Sequence, residues 1–410
     1  MQVFVFEDQG VDRLGVLTAA RPACDLTIGS FNLCEALTHL GHVRRVVRPF
    51  LTRHIEAVAD SRVTLWGAAI AMPADDPPAS RHGAIALAVN ARAVPSRATL
   101  QALRTLVEAG HRGIVRDGEA VAAAVLHRAA DGTGPDDAAI ARLLATGSPE
   151  AIEDLVLPTL DCSLEMLREP HDVITAHEHA IAGTLAMRVD GGGYREIRPG
   201  LFVAEGAQVA EQVVARHGPV VVAANADVGP FVCLDGPAFI GPQARINPHA
   251  WIHPGTAIGA VCRVGGEVEA TVMEPFSNKP HDGFLGHSHV GSWVNLAAGT
   301  VTSNLKATYG TIRLHEAGST IDTGRQFFGA LFGDLAKTAI NASIPCGARI
   351  GVAATVGTAT PEVVPAFTNQ LLASRTTPDQ AAVVLERMMA RRGLASSAAD
   401  RDLLAEVARG

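Results

Sequence analysis

The chain has 410 residues, enough for two or three domains each with its own core. Its formal net charge is -8 with acidic and basic residues interspersed, which excludes the concentrated basic surface of a nucleic-acid or anionic-membrane binder. There is no apolar run of about eighteen residues, no basic stretch opening into a long apolar one at the start, and no CxxC pair among the six cysteines; the expectation is a reducing, cytoplasmic setting with no membrane span and no structural zinc.

Residues 1–188 read as mixed α/β. Strand-like runs fall at Gln2–Phe6, 63–66 and 85–89, and helix-like runs at 100–109 and 136–145. The segment VDGGGYREIRPG, residues 189–200, reads as a linker. From Val222 an aliphatic residue then recurs at every sixth position: Val222, Val228, Leu234, Ile240, Ile246, Ile252, Ile258 and Val264. A small or β-branched residue follows each by four, from Ala226 through Val232 and Ala238 to Val268, and Gly or Pro often comes directly after the aliphatic one. A period of six is neither that of a helix nor that of an alternating strand. It fits a parallel β-helix, in which each hexad supplies one face of a coil, the aliphatic side chain points inward and Gly or Pro turns the corner. The phase breaks after Val264, resumes as Phe284, Val290 and Leu296, breaks again after Asn304 and returns at Ile344, Ile350 and Val356. Loops are expected to leave the prism at the breaks. The domains are therefore taken as 1–188, a linker 189–200, a β-helix 201–365 and a helical tail 366–410. In the tail Thr377 serves as N-cap, Pro378 as first helical residue, Ala381, Val384, Leu385, Met388 and Met389 as the apolar face and Gly393 as the stop.

The first break holds FSNKPHDGFLGHSHVG, with His281, His287 and His289 within nine residues. A zinc site needs a further ligand converging on such a set, so no metal is expected in the β-helix and His287 and His289 are taken as coil surface residues. His281 is open to two readings, a general base or a solvated loop histidine. Asn295 and Asn304 are either substrate contacts or ladder residues at coil corners. Lys279 and Lys306 are candidates for phosphate groups.

His281, then Phe284-Leu285-Gly286, then Val294-Asn295-Leu296-Ala297-Ala298-Gly299-Thr300, then Asn304 resembles without a gap the acetyltransferase motif of the bifunctional N-acetylglucosamine-1-phosphate uridylyltransferase/glucosamine-1-phosphate acetyltransferases. With FED…LGVLTAARPACDL at the front and ERMMARRG at the back, the chain is similar to a divergent branch of that family with a short N-terminal domain. The resemblance implies an α/β nucleotidyltransferase-like domain, a left-handed parallel β-helix of the acyltransferase type and a C-terminal α-helix. It implies a homotrimer with acetyl-CoA between neighbouring prisms, His281 as the base, and Asn304 on the reacting amine or acyl group. Asn295, Lys279, Lys306 and Phe284 would meet the amino-sugar phosphate, Phe284 standing where better-known relatives have Tyr. In the first domain the loop Glu7-Asp8-Gln9-Gly10 keeps one glycine, and Ala23 stands where a lysine is expected. Arg13 and Arg21 remain for phosphate, and Asp8 or Asp25 for Mg²⁺. The main expectation is acyl transfer from acetyl-CoA or another acyl-CoA to an amino-sugar phosphate. The alternatives are nucleotidylyl transfer from a nucleoside triphosphate to a sugar-1-phosphate, and a non-catalytic sugar-nucleotide-binding scaffold.

Overall fold

The computed structural model describes residues 1–58, 63–64, 67–68, 85–316 and 319–410. They form two compact units, one within Met1–Pro170 and one comprising His171–Gly410.

The first unit is built on a five-stranded sheet in the order His42–Val46, Gln2–Phe6, Ile85–Asn90, Ala120–His127, Gly113–Asp117. The first three strands are parallel and the last two antiparallel to their neighbours. Val3, Phe4, Val5 and Phe6 are all buried, as a strand covered on both faces requires. The helices Arg97–Ala109 and Pro135–Thr146 appear at the expected places, the first capped by Ser96 and ended by Gly110 at φ 64°. Val63–Thr64 is a strand, and the rest of that expected run, residues 65–66, lies outside the described residues.

The second unit is a parallel β-helix. One of its faces is a ten-stranded sheet, of which all strands but Tyr194–Arg198 run parallel. In the regular part the register advances by eighteen residues per coil, three hexads, as in Val222 beside Ile240 beside Ile258. All eight hexad aliphatics lie in one core at no more than 1% exposure. The small residues are buried with them because the faces meet too closely for larger side chains.

The breaks in phase differ from expectation. At the first, no loop leaves the prism. The corner at Gly265-Gly266 is shortened by two residues instead, so that Ile252 pairs with Val268, sixteen on, and the next corner by one, so that Ile258 pairs with Met273, fifteen on. Gly266 has φ 70°, and a Cβ there would stand 2.9 Å from the His281 carbonyl oxygen. The inward positions then become Lys279, Leu285 and Val290, so Leu285 takes the core place expected of Phe284. The second break is an excursion. Val290 pairs with Phe332 and Thr302 with Ile344, each forty-two positions on, and the extra chain carries the antiparallel hairpin Arg313–Glu316/Ser319–Asp322.

Residues 171–188, grouped from sequence with the first domain, belong to the helix Asp172–Asp190, which packs on the prism through Ile181 and Leu185 against Val221, Phe239 and Ala257. The stretch 189–200 contains the strand Tyr194–Arg198, paired antiparallel with Leu201–Ala204. The C-terminal helix Pro378–Ala390 has the expected Thr377 cap, closed into a capping box by Gln380. A second helix, Ala398–Val407, carries its own box from Ser397 and Asp400. That Ser-x-x-Asp spacing was the signal for it in the sequence.

Candidate functional site

Parallel register stacks equivalent side chains into columns. Because neighbours in a strand face opposite ways, the column beside the inward Val264 and Lys279 faces outward. It reads Arg263, Asn278, Asn295, Lys337, Thr355. The C-terminal helix and the turn after it close over this column and leave a cavity of about 480 Å³. Arg263, Asn278, His281, Asn295 and Lys337 line it from the prism, and Arg391 and Arg392 from the tail.

The cavity is strongly electropositive. Arg392 Nη2 donates to Asn278 Oδ1 at 2.6 Å. Burial, with Arg263 and Arg391 close by, pushes the Arg392 guanidinium below its ordinary pKa. Burial likewise pushes the Lys337 ammonium down to about 8, its Nζ donating to the Leu335 carbonyl at 2.8 Å. Among the described residues no carboxylate lines this space. Four cations without an anion cost energy that a bound phosphate would recover.

His281 is exposed, on the corner between the strands Asn278–Lys279 and Phe284–Gly286, and its ring borders the cavity. Lys279 is turned into the coil at 1% exposure, where its Nζ donates to the carbonyls of Gly265 at 2.9 Å and His281 at 3.2 Å. In this position it props the His281 corner from beneath rather than reaching a phosphate. Burial pushes its pKa down from 10.5 to about 8. The unfolded chain therefore holds a proton between pH 8 and 10.5 that the folded one lacks. The cost of burying the ammonium is complete below pH 8 and disappears as pH rises to 10.5. Lys279→Met, with equivalent volume and no charge, is expected to raise stability at pH 7.5 and to reduce the gain seen between pH 7.5 and 10 in urea unfolding, Lys337 supplying the remainder. An unchanged pH dependence would show that the amine is not buried in solution.

Phe284 faces outward and half-buried, its ring lying over Gly286, where a Cβ would fall 2.4 Å from Cζ. Asn295 stands in the cavity column, but Asn304 belongs to a second cluster: its Nδ2 donates to His287 Nδ1 at 3.0 Å. His281 and Asn304 thus flank the strand Phe284–Gly286 from opposite ends. Lys306 follows Asn304 in the excursion and donates to the Thr311 carbonyl at 2.8 Å.

Two histidines expected on the surface are inside. His289 is 1% exposed and pairs through Nε2 with the equally buried Glu274 at 3.1 Å. His287 is 13% exposed. Both lie on the side that the helix Asp172–Asp190 covers, and His177 of that helix donates to the Gly255 carbonyl at 2.8 Å. Sequence reading also missed Lys337, Arg391 and Arg392. Lys337 is bridged to Asn295, a pairing that the length of the excursion hid, and Arg391 and Arg392 arrive only through the docking of the C-terminal helix.

In the first unit the carboxylates expected to hold Mg²⁺ are spent on arginines. Asp8 takes Arg92 Nε at 2.7 Å and Nη2 at 2.6 Å, with Asn90 Nδ2 at 2.9 Å and its own loop through Gly10 N at 3.1 Å. Burial alone would raise its pKa, but the Arg92 contacts outweigh that and hold the carboxyl below its usual range. Asp25 is buried against Arg45 at 3.1 Å, and Arg45 Nε lies 3.4 Å from Cys34 Sγ. A guanidinium already sits where a cation would, so these residues do not fit Mg²⁺ in this arrangement. The same argument removes the buried group Cys24, Asp25 and Cys34 as a metal site. Arg21 is 1% exposed, while Arg13 is exposed and paired with Glu169.

Residues 3–188 match the family described as "Sugar nucleotidyl transferase". The chain is 31% identical over 120 residues, 29% of its length and 28% of the relative's, to "Bifunctional protein GlmU" of Methanococcus vannielii. It is 30% identical over 148 residues, 36% of its length and 37% of the relative's, to "Bifunctional sugar-1-phosphate nucleotidylyltransferase/acetyltransferase" of Sulfurisphaera tokodaii. With "Bifunctional protein GlmU" of Cupriavidus pinatubonensis it shares 35% over 106 residues, 25% of its length and 23% of the relative's. Each similarity spans well under half of the relative's length.

Proposed function

We propose, for a chain that belongs with the GlmU-like bifunctional sugar-1-phosphate nucleotidylyltransferase/acetyltransferases, that the prism transfers an acyl group, acetyl in the first instance, from an acyl-CoA to the amine of an amino-sugar phosphate. The observation that carries this reading is the juxtaposition of an exposed His281 with a cavity walled by Arg263, Lys337, Arg391 and Arg392. Both co-substrates bear phosphate, and the cavity supplies the counter-charge. His281 would take the proton that the amine loses as its nitrogen bonds to the thioester carbon, after which the C–S bond breaks and CoA leaves as a thiol. Asn295 would hold the sugar, and Asn304 the attacking amine or the acyl oxygen. The active assembly would be a cytoplasmic homotrimer joined through the prisms, which sedimentation equilibrium tests.

The direct experiment follows thiol release from acetyl-CoA with glucosamine-1-phosphate. Removing cavity cations is expected to weaken ground-state binding: Arg391→Ala and Arg392→Ala should each raise KM for a phosphate-bearing substrate about tenfold, with kcat little changed. A loss confined to kcat would move the phosphate elsewhere.

The family match of residues 3–188 favours a second reading, sugar-1-phosphate nucleotidylyl transfer by the first unit, in which Arg13, exposed and paired with Glu169, would meet phosphate, whereas Arg21 is buried out of reach of one. Pyrophosphate release from nucleoside triphosphate and N-acetylglucosamine-1-phosphate tests it. No release with any nucleotide would leave that unit a binding domain.

A further inference from the structure

His287 occupies the corner after the strand Phe284–Gly286 with φ 47°, a left-handed value that few side chains adopt. Asn304, one coil further on, points its Nδ2 at His287 Nδ1 across 3.0 Å. An amide N–H only donates, so Nδ1 is the acceptor and the neutral ring carries its proton on Nε2. Nε2 faces Glu178 Oε1 at 3.9 Å. Glu178 is fixed in turn, accepting from Arg325 Nη2 at 2.7 and 2.8 Å, while Arg325 Nη1 donates to Thr175 Oγ1 at 3.0 Å. Phe327 stacks on the imidazole with ring centroids 5.4 Å apart. Three segments distant in sequence, the helix Asp172–Asp190, the corner and the excursion, therefore hold one ring in one orientation and one tautomer.

We propose that His287 is a positioning residue for acyl transfer, acting through Asn304. By taking the amide N–H it fixes which end of the Asn304 amide meets the substrate: the oxygen Oδ1 is presented to accept the N–H of the attacking amine. An unheld amide rotates by half a turn and offers its own N–H groups, which donate to the amine's lone pair and withhold it from the thioester carbon. Supporting partners of this kind set the orientation of a reactive group without touching substrate. The inference rests on the acyl-transfer reading above.

The test uses the full chain and thiol release from acetyl-CoA, with the melting of every variant followed in parallel. His287→Leu is expected to lower kcat about 10–100-fold with KM within about threefold. His287→Asn, whose oxygen stands close to the place of Nδ1 and which tolerates positive φ, should recover most of the rate; His287→Gln, whose amide reaches the place of Nε2, should not. In an Asn304→Ala background His287→Leu should cost nothing more, since the residue it acts through is gone. Equal rescue by Gln and Asn, or losses that multiply in the double variant, would overturn the proposal. A readout independent of activity is the ring tautomer from long-range ¹H–¹⁵N correlations of ¹⁵N-histidine-labelled protein: the Nε2–H form is expected, and an Nδ1–H form overturns the proposal. Wild-type protein that releases no thiol with any amine refutes acyl transfer itself, while the tautomer still decides the geometry.

Discussion

His281→Ala is expected to lower kcat for acyl transfer by about 10²–10⁴-fold, the range that a positioned general base supplies. The side chain is exposed at a corner whose backbone is anchored by Lys279 from inside the coil, so its removal should leave the fold and the melting temperature nearly unchanged. The loss should fall on kcat rather than KM, because the cations that hold phosphate are contributed by other residues of the cavity. Thiol release measured under saturating acetyl-CoA reads the effect directly. A variant within threefold of wild type would remove His281 from the reaction.

The largest effect on stability is expected in the first unit, at Arg48. Glu7 is 5% exposed and accepts from Ala23 N at 2.9 Å and from Arg48 N and Nε at 2.9 and 3.0 Å. Arg48 Nη2 also ties down the carbonyls of Thr18 and Arg21, each at 2.8 Å, so one guanidinium closes the loop that carries Arg21 and Asp25. Arg48→Met would leave a buried carboxylate without its counter-charge and should destabilise the unit by about 3–5 kcal/mol, read by urea unfolding. Adding Glu7→Gln should return a good part of the loss, since breaking a buried pair costs more than replacing it. Destabilisation that grows in the double variant would show that the pair is held by something other than charge.

The hexad repeat by itself makes the prism legible, because each inward aliphatic residue is dictated by local geometry and repeats without reference to distant chain. The helices at 97–109, 135–146 and 378–390 are legible for the same reason: caps, periodicity and a Gly or Pro stop are local signals. The shortened corner at Gly265-Gly266 is visible in the sequence as a break but not as a deletion. Its consequence, Lys279 inward and Leu285 rather than Phe284 in the core, follows only from which strands pair. The helix Asp172–Asp190 escapes sequence reading because its buried face, Ile174, His177, Ile181 and Leu185 with Thr184, includes polar residues while Ala182 and Ala186 lie off it, so the contrast between faces is weak.

Sequence alone determined that the chain carries a β-helix, that its hexad phase breaks around His281, and that a capped helix follows. Tertiary structure decided which groups share a site. Lys337 reaches Asn295 across forty-two positions, Arg392 meets Asn278 across more than a hundred with Arg391 lining the same cavity, and Asn304 is matched with His287, itself facing Glu178, rather than with His281. Periodicity reports which way a side chain faces. Only strand register and helix docking, set by the summed burial of the whole coil, report what it faces.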